Sequence, residues 1–556
     1  MPSRCCNDIN SSFPPDPDFH AVLRLLRVPF LLVALSALAF GQSSSETCPR
    51  PVAGATITNP PELHSHNGVL EVGLHFRYEQ TTPSQGPPRY CYVTDDGLES
   101  PTLRVRPGDR LMIHLYNDVP VPRGYRPAAP AKSSTDDDCD RHGMDAYVTN
   151  LHFHGMTIPP VCHQDEVMRT SIAPGEEFDY RVTIPSDEPP GLYWYHPHPH
   201  GFSERQVQGG ASGVIIVEGI ELIVPSLASL PQRVIVLRDQ QRIGPEAQVA
   251  SVPTWDISAN FVPITYPAEQ PAKIEAAAGE QEFWRVLNAA ADTIFNLQVV
   301  SNHVPSPLRI VAIDGVPATA KKSHAATKTS ILLPPGARAE FVVTLPGKQD
   351  NAELVTTAWD TGPSGDTDTR RTIAKLYSSA DSSQRAAKLK PLPGGRPWDA
   401  EAGPATVHRT LYFSQRSSNP QDPDNFVLYF ITVEGQTPAP YKMGQPPNIV
   451  VHQGDVEDWT IQNRATEDHV FHIHQLHFRV LAVDGLPVDD PTMRDTIDLP
   501  YWRGTGPYPS VTLRMDFSDP NDVGTFLYHC HILKHEDMGM MGSIEVLPKA
   551  APHGAL

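Results

Sequence analysis

The sequence predicts an all-β chain of three repeated sandwich units, and three observations carry that expectation. The segments "RPGDRLMIHLYN", "AAGEQEFWRVLN" and "HQGDVEDWTIQN" each set a glycine (Gly108, Gly279, Gly454) nine positions before an asparagine (Asn117, Asn288, Asn463), with alternating apolar residues between. That pattern reads as a turn feeding a half-buried strand. A second pair, "PGEEFDYRVTIP" and "PGARAEFVVTLP", recurs between the first and second thirds of the chain, and recurrence outranks any single motif. The third observation is bulk character. The 556 residues exceed one hydrophobic core, and 58 prolines with 19% charged side chains suit short strands joined by ordered loops.

Alternating runs such as "GVIIVEG", "SILL" and "SVTLRMDF" predict antiparallel sandwich strands. The units are placed at 48–222, 228–385 and 402–550. The stretch "SSADSSQRAAKLKPLPGGRPWDAEAGPA", rich in Ser, Pro, Gly and charge, puts a linker at 386–401. Ahead of the first unit, Arg24 and Arg27 precede an apolar run from Val28 to Phe40 that ends at Ala39-Phe40-Gly41. The run is too short to span a bilayer and carries the marks of a signal peptide within 1–41. The expectation is export to a periplasmic or extracellular space, a mature start near Gln42 and no stable membrane insertion.

A net charge of -20 without a basic cluster argues against nucleic-acid partners. Of seven cysteines, Cys5 and Cys6 precede the processing point and Cys530 sits among histidines. The remaining Cys48, Cys91, Cys139 and Cys162 allow three pairings in an oxidising compartment. Pairing of neighbours, Cys48 with Cys91 and Cys139 with Cys162, is preferred.

The histidines follow the repeat. "GLYWYHPH" matches "GTFLYHCH", so His196 and His198 correspond to His529 and His531, with Pro197 in the place of Cys530. Likewise "LHFH" (His152, His154) corresponds to "FHIH" (His472, His474), whereas the second unit offers only "IFNLQ". On a strand each His-x-His pair would share one face, with Cα atoms about 6.6–6.8 Å apart. If the first and third units pack face to face, eight imidazoles converge, more than one ion can use. His469, Cys530, His535 and Met540 belong to the third unit alone. Two imidazoles, a thiolate and a weak thioether form the ligand pattern of a blue-copper electron-transfer site. Zinc also takes Cys and His but has no use for an axial methionine, and Met538 and Met541 lie close to Met540. Cys530, pointing opposite to its neighbours His529 and His531, would wire the two sites together.

"HFHG", "WYHPHPHG", "HVFHIH" and "HCHILKHEDMGMM" resemble, in order, the four copper motifs of the three-domain multicopper oxidases, the family of laccases and bacterial periplasmic copper oxidases. The resemblance implies three consecutive cupredoxin-like Greek-key β-sandwich domains and four copper ions. His469, Cys530, His535 and Met540 match the type 1 ligands, and His152 and His472 match type 2. His154, His196, His198, His474, His529 and His531 match the type 3 pair. Phe153 replaces the family's usual Trp, and Val470 its usual Pro after the first type 1 histidine. Glu536 and Asp165, with Glu166 next to it, match acids that relay protons to the cluster; His163, His200 and His477 are expected to be supporting or structural. The implied reaction couples four one-electron oxidations of a reductant to reduction of dioxygen to water. The chain has 11 methionines and no run of them beyond "MGMM", which favours phenols or aromatic amines meeting an exposed edge of a type 1 histidine. Oxidation of Cu(I) or Fe(II) is the alternative.

Overall fold

The three glycine-to-asparagine segments become the strands Arg110–Asn117, Gln281–Asn288 and Val456–Asn463. The computed structural model describes residues 47–82, 86–130, 138–242, 251–318, 327–345, 347, 351–379, 402–418 and 427–549. The expected signal segment 1–41 and linker 386–401 lie outside the described residues. Gly108, Gly279 and Gly454 have φ of 87°, 71° and 99°, a left-handed turn that glycine enters without steric cost. Each asparagine is fully buried at its strand end and repeats one hydrogen-bond pattern. Its Nδ2 donates to two carbonyls: Tyr147 and Ile172 for Asn117, Thr293 and Leu333 for Asn288, Glu467 and Leu499 for Asn463. Its Oδ1 accepts from the N–H two residues on, of Val119, Ala290 or Ala465. One side chain thus meets three main-chain groups at once.

Around each of these strands the same sheet is built. Val69–Glu79, Gln232–Gln241 and Val407–Ser417 pair with them in parallel on one side, and Glu177–Thr183, Arg338–Thr344 and Ser510–Asp516 pair antiparallel on the other. An antiparallel partner, Arg89–Thr94, Trp255–Ala259 or Val427–Val433, flanks each of the parallel strands, and Val262–Ile264 extends the second sheet beyond it. Each such sheet is matched by a second sheet, giving three cupredoxin-like sandwiches in chain order. The expected antiparallel character is corrected: the sheets are mixed, because the chain visits the opposite sheet before returning beside its own strand, and such a crossover makes the two strands parallel.

The second sandwich is buried on more than its core face. Leu192, Trp194, Val214 and Ile216 of the first sandwich pack with Val234, Val236, Leu287 and Ala289 of the second. Arg338–Thr344 is accordingly buried at six of seven positions. Cys48–Cys91 and Cys139–Cys162 are disulfide-bonded, the preferred pairing, and Cys530 is the free cysteine among the described residues. No helix among the described residues is long and apolar enough to cross a membrane.

Candidate metal centre

His152–His154 pairs antiparallel with Leu192–His196, so His152 stands opposite His196. The third sandwich repeats the arrangement, with His472 of His469–Ile473 opposite His529 of Gly524–Cys530. His152 and His154 lie within one strand, His474 and His531 lie one residue past strand ends in the continued register of the facing strand, and His198 alone departs from the expected strand geometry. His474 N–H donates to the Leu527 carbonyl and His531 N–H to the Val470 carbonyl, continuing the ladder of the two facing strands, whereas His198, two residues past Leu192–His196, is held by Asn150 Oδ1, which accepts its N–H.

The two halves meet ring to ring. His152 stacks on His474 and His154 on His472, each with centroids 3.9 Å apart, and all eight histidines are buried. One nitrogen of several rings is held on the outside. His152 Nδ1 faces Asp165 (3.0 Å), His196 Nδ1 the Pro197 carbonyl (3.0 Å), His472 Nδ1 the Asp495 carbonyl (2.9 Å) and His154 Nε2 Asp495 Oδ1 (3.3 Å). A proton parked outside leaves a lone pair inside. The inward atoms His152 Nε2, His154 Nδ1, His196 Nε2, His472 Nε2 and both nitrogens of His531 have no protein partner. His198 and His474 Nε2 lie 3.4 and 3.2 Å from His529 Nε2. Burial pushes His152, His154, His472, His474 and His531 down, His196 to about 3 and His198 to about 4, so these rings are neutral donors. Buried unsatisfied nitrogens cost about 1–3 kcal/mol each; so many aimed at one space fit ions bound by imidazole.

On the other side of Cys530 the donor set changes. Cys530 Sγ lies 3.7 Å from both His469 Nδ1 and His535 Nδ1, which are 3.2 Å apart. A point equidistant from these three atoms is about 2.1 Å from each, close to metal–nitrogen and metal–thiolate bond lengths. Met540 is buried beside them, its N–H donating to the His535 carbonyl (2.9 Å) and its carbonyl accepting from Cys530 N–H (3.0 Å). His2Cys with a methionine nearby fits copper. Val470, where the family has proline, donates its N–H to Cys530 Sγ at 3.4 Å. The expected exposed histidine edge is absent. His469 is fully buried and His535 is 5% exposed, because Tyr429 stacks on His535 (4.1 Å) and Glu467 Oε1 lies 3.8 Å from its Nε2.

The short helix Leu533–Asp537 carries His535 toward the thiol and Glu536 toward the cluster. Glu536 Oε2 is 3.0 Å from His529 Nδ1 and Oε1 is 3.5 Å from His198 Nε2. Burial pushes this carboxyl up, and the surrounding imidazoles outweigh burial and hold it low. The helix is tied to the first sandwich by Asp537, whose oxygens accept from Ser203 and Glu204 N–H (2.9 Å each), filling orphan donors at the start of helix Ser203–Gln208. Asp165 accepts from Phe153 N–H (2.9 Å) and from Gln475 Nε2 (2.6 Å), besides its contact with His152. Glu166 instead turns to Thr170 and Arg169. Phe153 is a core residue.

Among the additional histidines, His163 faces the Asp179 carbonyl, His200 packs on Tyr441, and His477 bonds the Asp314 carbonyl. Gln475, Asp495 and Arg338 touch the site without having stood out in the sequence. Gln475 directly follows His474 in the sequence, Asp495 has no candidate ligand beside it there, and Arg338 lies inside a quoted repeat, where the first unit carries Glu177.

Two family patterns, both described as multicopper oxidase, match residues 144–221 and 412–550. The chain is 23% identical over 457 residues to multicopper oxidase mco of Staphylococcus haemolyticus, covering 81% of this chain and 82% of that protein. Its fold is similar to that of McoA multicopper oxidase from Aquifex aeolicus (TM-score 0.66, 19% identity, 89% of this chain and 100% of that one). It is also similar to that of a Campylobacter jejuni multicopper oxidase described as a metallo-oxidase (TM-score 0.64, 22% identity, 90% and 96%). Both histidine-bearing sandwiches are thus matched by multicopper oxidase patterns, and the chain is similar to the multicopper oxidases, a likeness that indicates a copper-dependent oxidoreductase using oxygen.

Proposed function

We propose that the protein couples four one-electron oxidations of phenols or aromatic amines to reduction of one dioxygen to two waters, consuming four protons. The observation that carries this reading is the single stretch His529-Cys530-His531. Its thiol meets two imidazoles on one side, and its histidines join six others on the opposite side. In this reading units 48–222 and 402–550 hold four coppers, unit 228–385 is scaffold and 386–401 a linker. Bound copper supplies one-electron redox chemistry and a place for dioxygen. The type 1 ligands are His469, Cys530, His535 and Met540; type 2, His152 and His472; type 3, His154, His196, His198, His474, His529 and His531.

The remaining steps belong to the chain. Cys530 is bonded through backbone to both His529 and His531, a short covalent route between the two donor sets. Glu536, between His198 and His529, holds and passes protons at its Oε atoms. Asp165 accepts from His152 Nδ1, keeps that ring's other nitrogen free, and stands ready as the second proton relay. The buried aromatic and apolar walls exclude bulk water from the cluster.

A metal-ion reductant, Cu(I) or Fe(II), is the second reading, favoured by Glu467 at the His535 edge and by the likeness to the Campylobacter jejuni metallo-oxidase. Copper counting comes first: roughly four ions per chain are expected on the family pattern, and a chain without copper ends both readings. Oxygen uptake with a substituted phenol against Cu(I), with and without excess Cu(II), then separates them. Strong preference for Cu(I), or phenol turnover only with excess copper, selects the metal-ion reading.

A further inference from the structure

The middle sandwich holds none of the clustered histidines, yet one of its side chains reaches them. Arg338, at the start of strand Arg338–Thr344, is fully buried where all three sandwiches meet. Its Nη1 and Nη2 lie 2.7 and 2.6 Å from Asp495 Oδ1 and Oδ2, and its Nε donates to the Leu192 carbonyl of the first sandwich (3.2 Å). Its Nη1 also donates to the Gly336 carbonyl (3.2 Å), and Asp314 Oδ1 accepts from its main-chain N–H (2.8 Å). Asp495 in turn faces a ring from each half: Oδ1 is 3.3 Å from His154 Nε2, and its carbonyl is 2.9 Å from His472 Nδ1. Thr496 Oγ1 donates to the same Oδ1 (2.8 Å).

The backbone is cut to make room for this contact. A Cβ on Gly155, directly after His154, would lie 2.1 Å from Arg338 Nη2 and 2.6 Å from Asp495 Oδ2. A Cβ on Gly336 would lie 3.0 Å from His154 Cε1 and from His531 Nε2.

We propose that Arg338 is a positioning residue for the histidine cluster: its fork fixes Asp495, and Asp495 fixes which nitrogen His154 and His472 turn inward. The inference rests on the copper-cluster reading above. A planar guanidinium meeting both carboxylate oxygens sets the carboxylate's rotation as well as its place, which a lysine cannot do. Stability alone is a poor reason to bury such a pair, because apolar replacements of buried ion pairs are often neutral or stabilising. Asp495 meanwhile has two imidazoles to orient, and such outer partners typically govern 10–100-fold in metal affinity.

The test compares wild type, Arg338→Lys and the double variant Arg338→Met with Asp495→Leu, using the full chain. The readouts are copper per chain, the blue thiolate absorption, the type 2 electron paramagnetic resonance signal and imidazole 15N shifts of the copper-free protein. Arg338→Lys is expected to keep the blue absorption while cluster copper binds about 10–100-fold more weakly and the His154 and His472 nitrogen shifts lose their single tautomer. The double variant, which removes both members of the bidentate pair, is expected to fold and stay blue with the same cluster defect. Full cluster loading with unchanged type 2 and nitrogen signals in either variant overturns the inference. So does joint loss of blue colour and cluster signal in both, which would assign the pair to folding alone. A wild type without cluster copper overturns the underlying reading instead.

Discussion

Replacing Cys530 by serine should separate the two donor sets without unfolding the chain. The side chain is fully buried among Val470, Phe471, Met540 and the two type 1 histidines, and serine differs from it by one smaller atom. Val470 N–H, now 3.4 Å from sulfur, remains available to the hydroxyl. The cost of a partly satisfied buried hydroxyl is about 1–3 kcal/mol, within the roughly 5–15 kcal/mol that holds a folded domain. What is lost is the one thiolate of the His2Cys triangle and the route through residue 530. Copper should fall by about one ion per chain on the blue-copper assignment, the intense blue absorption should vanish, and oxygen uptake should fall to the buffer rate. Elemental analysis, the visible spectrum and an oxygen electrode read these in turn. A blue variant would show that another thiol holds the copper; a colourless variant with full turnover would show that electrons do not enter there.

Glu536→Gln preserves shape beside His198 and His529 but removes the exchangeable carboxyl; rapid mixing should show reoxidation slowed more than type 1 reduction. Equal slowing of both would remove Glu536 from proton delivery. Val470→Pro should lower the type 1 potential, because the N–H it deletes is bonded to Cys530 Sγ and hydrogen bonds to that sulfur tune the potential. An unchanged value in a redox titration would show that this hydrogen bond is inert. Away from copper, Glu188 is 2% exposed and its carboxyl is pushed by burial from 4.5 to about 8. The folded state therefore holds a proton that the unfolded chain releases, so stability is full below pH 4.5 and declines as pH rises through about 8, by roughly 5 kcal/mol at most. Glu188→Gln should abolish that decline in denaturant titrations at pH 6 and 9; an identical slope in variant and wild type would refute it.

The periodic part of this protein is written along the chain. Turn glycines and strand-end asparagines recur because each sandwich must reverse direction and satisfy the same main-chain groups at the same place. The histidines recur with them because two copies of one strand pair supply the cluster. Such features depend on residues a few positions apart, so spacing reveals them. The departure of His198 from its strand onto Asn150, the crossover that makes the sheets mixed, and the burial of His535 under Tyr429 depend on what packs alongside, and no local period encodes that. Arg338 is the sharpest case. In sequence it is one charged residue in the sandwich without ligands, 157 positions from Asp495. Only the meeting of three sandwiches, with Gly155 and Gly336 giving way, puts its guanidinium against the carboxylate that faces His154 and His472.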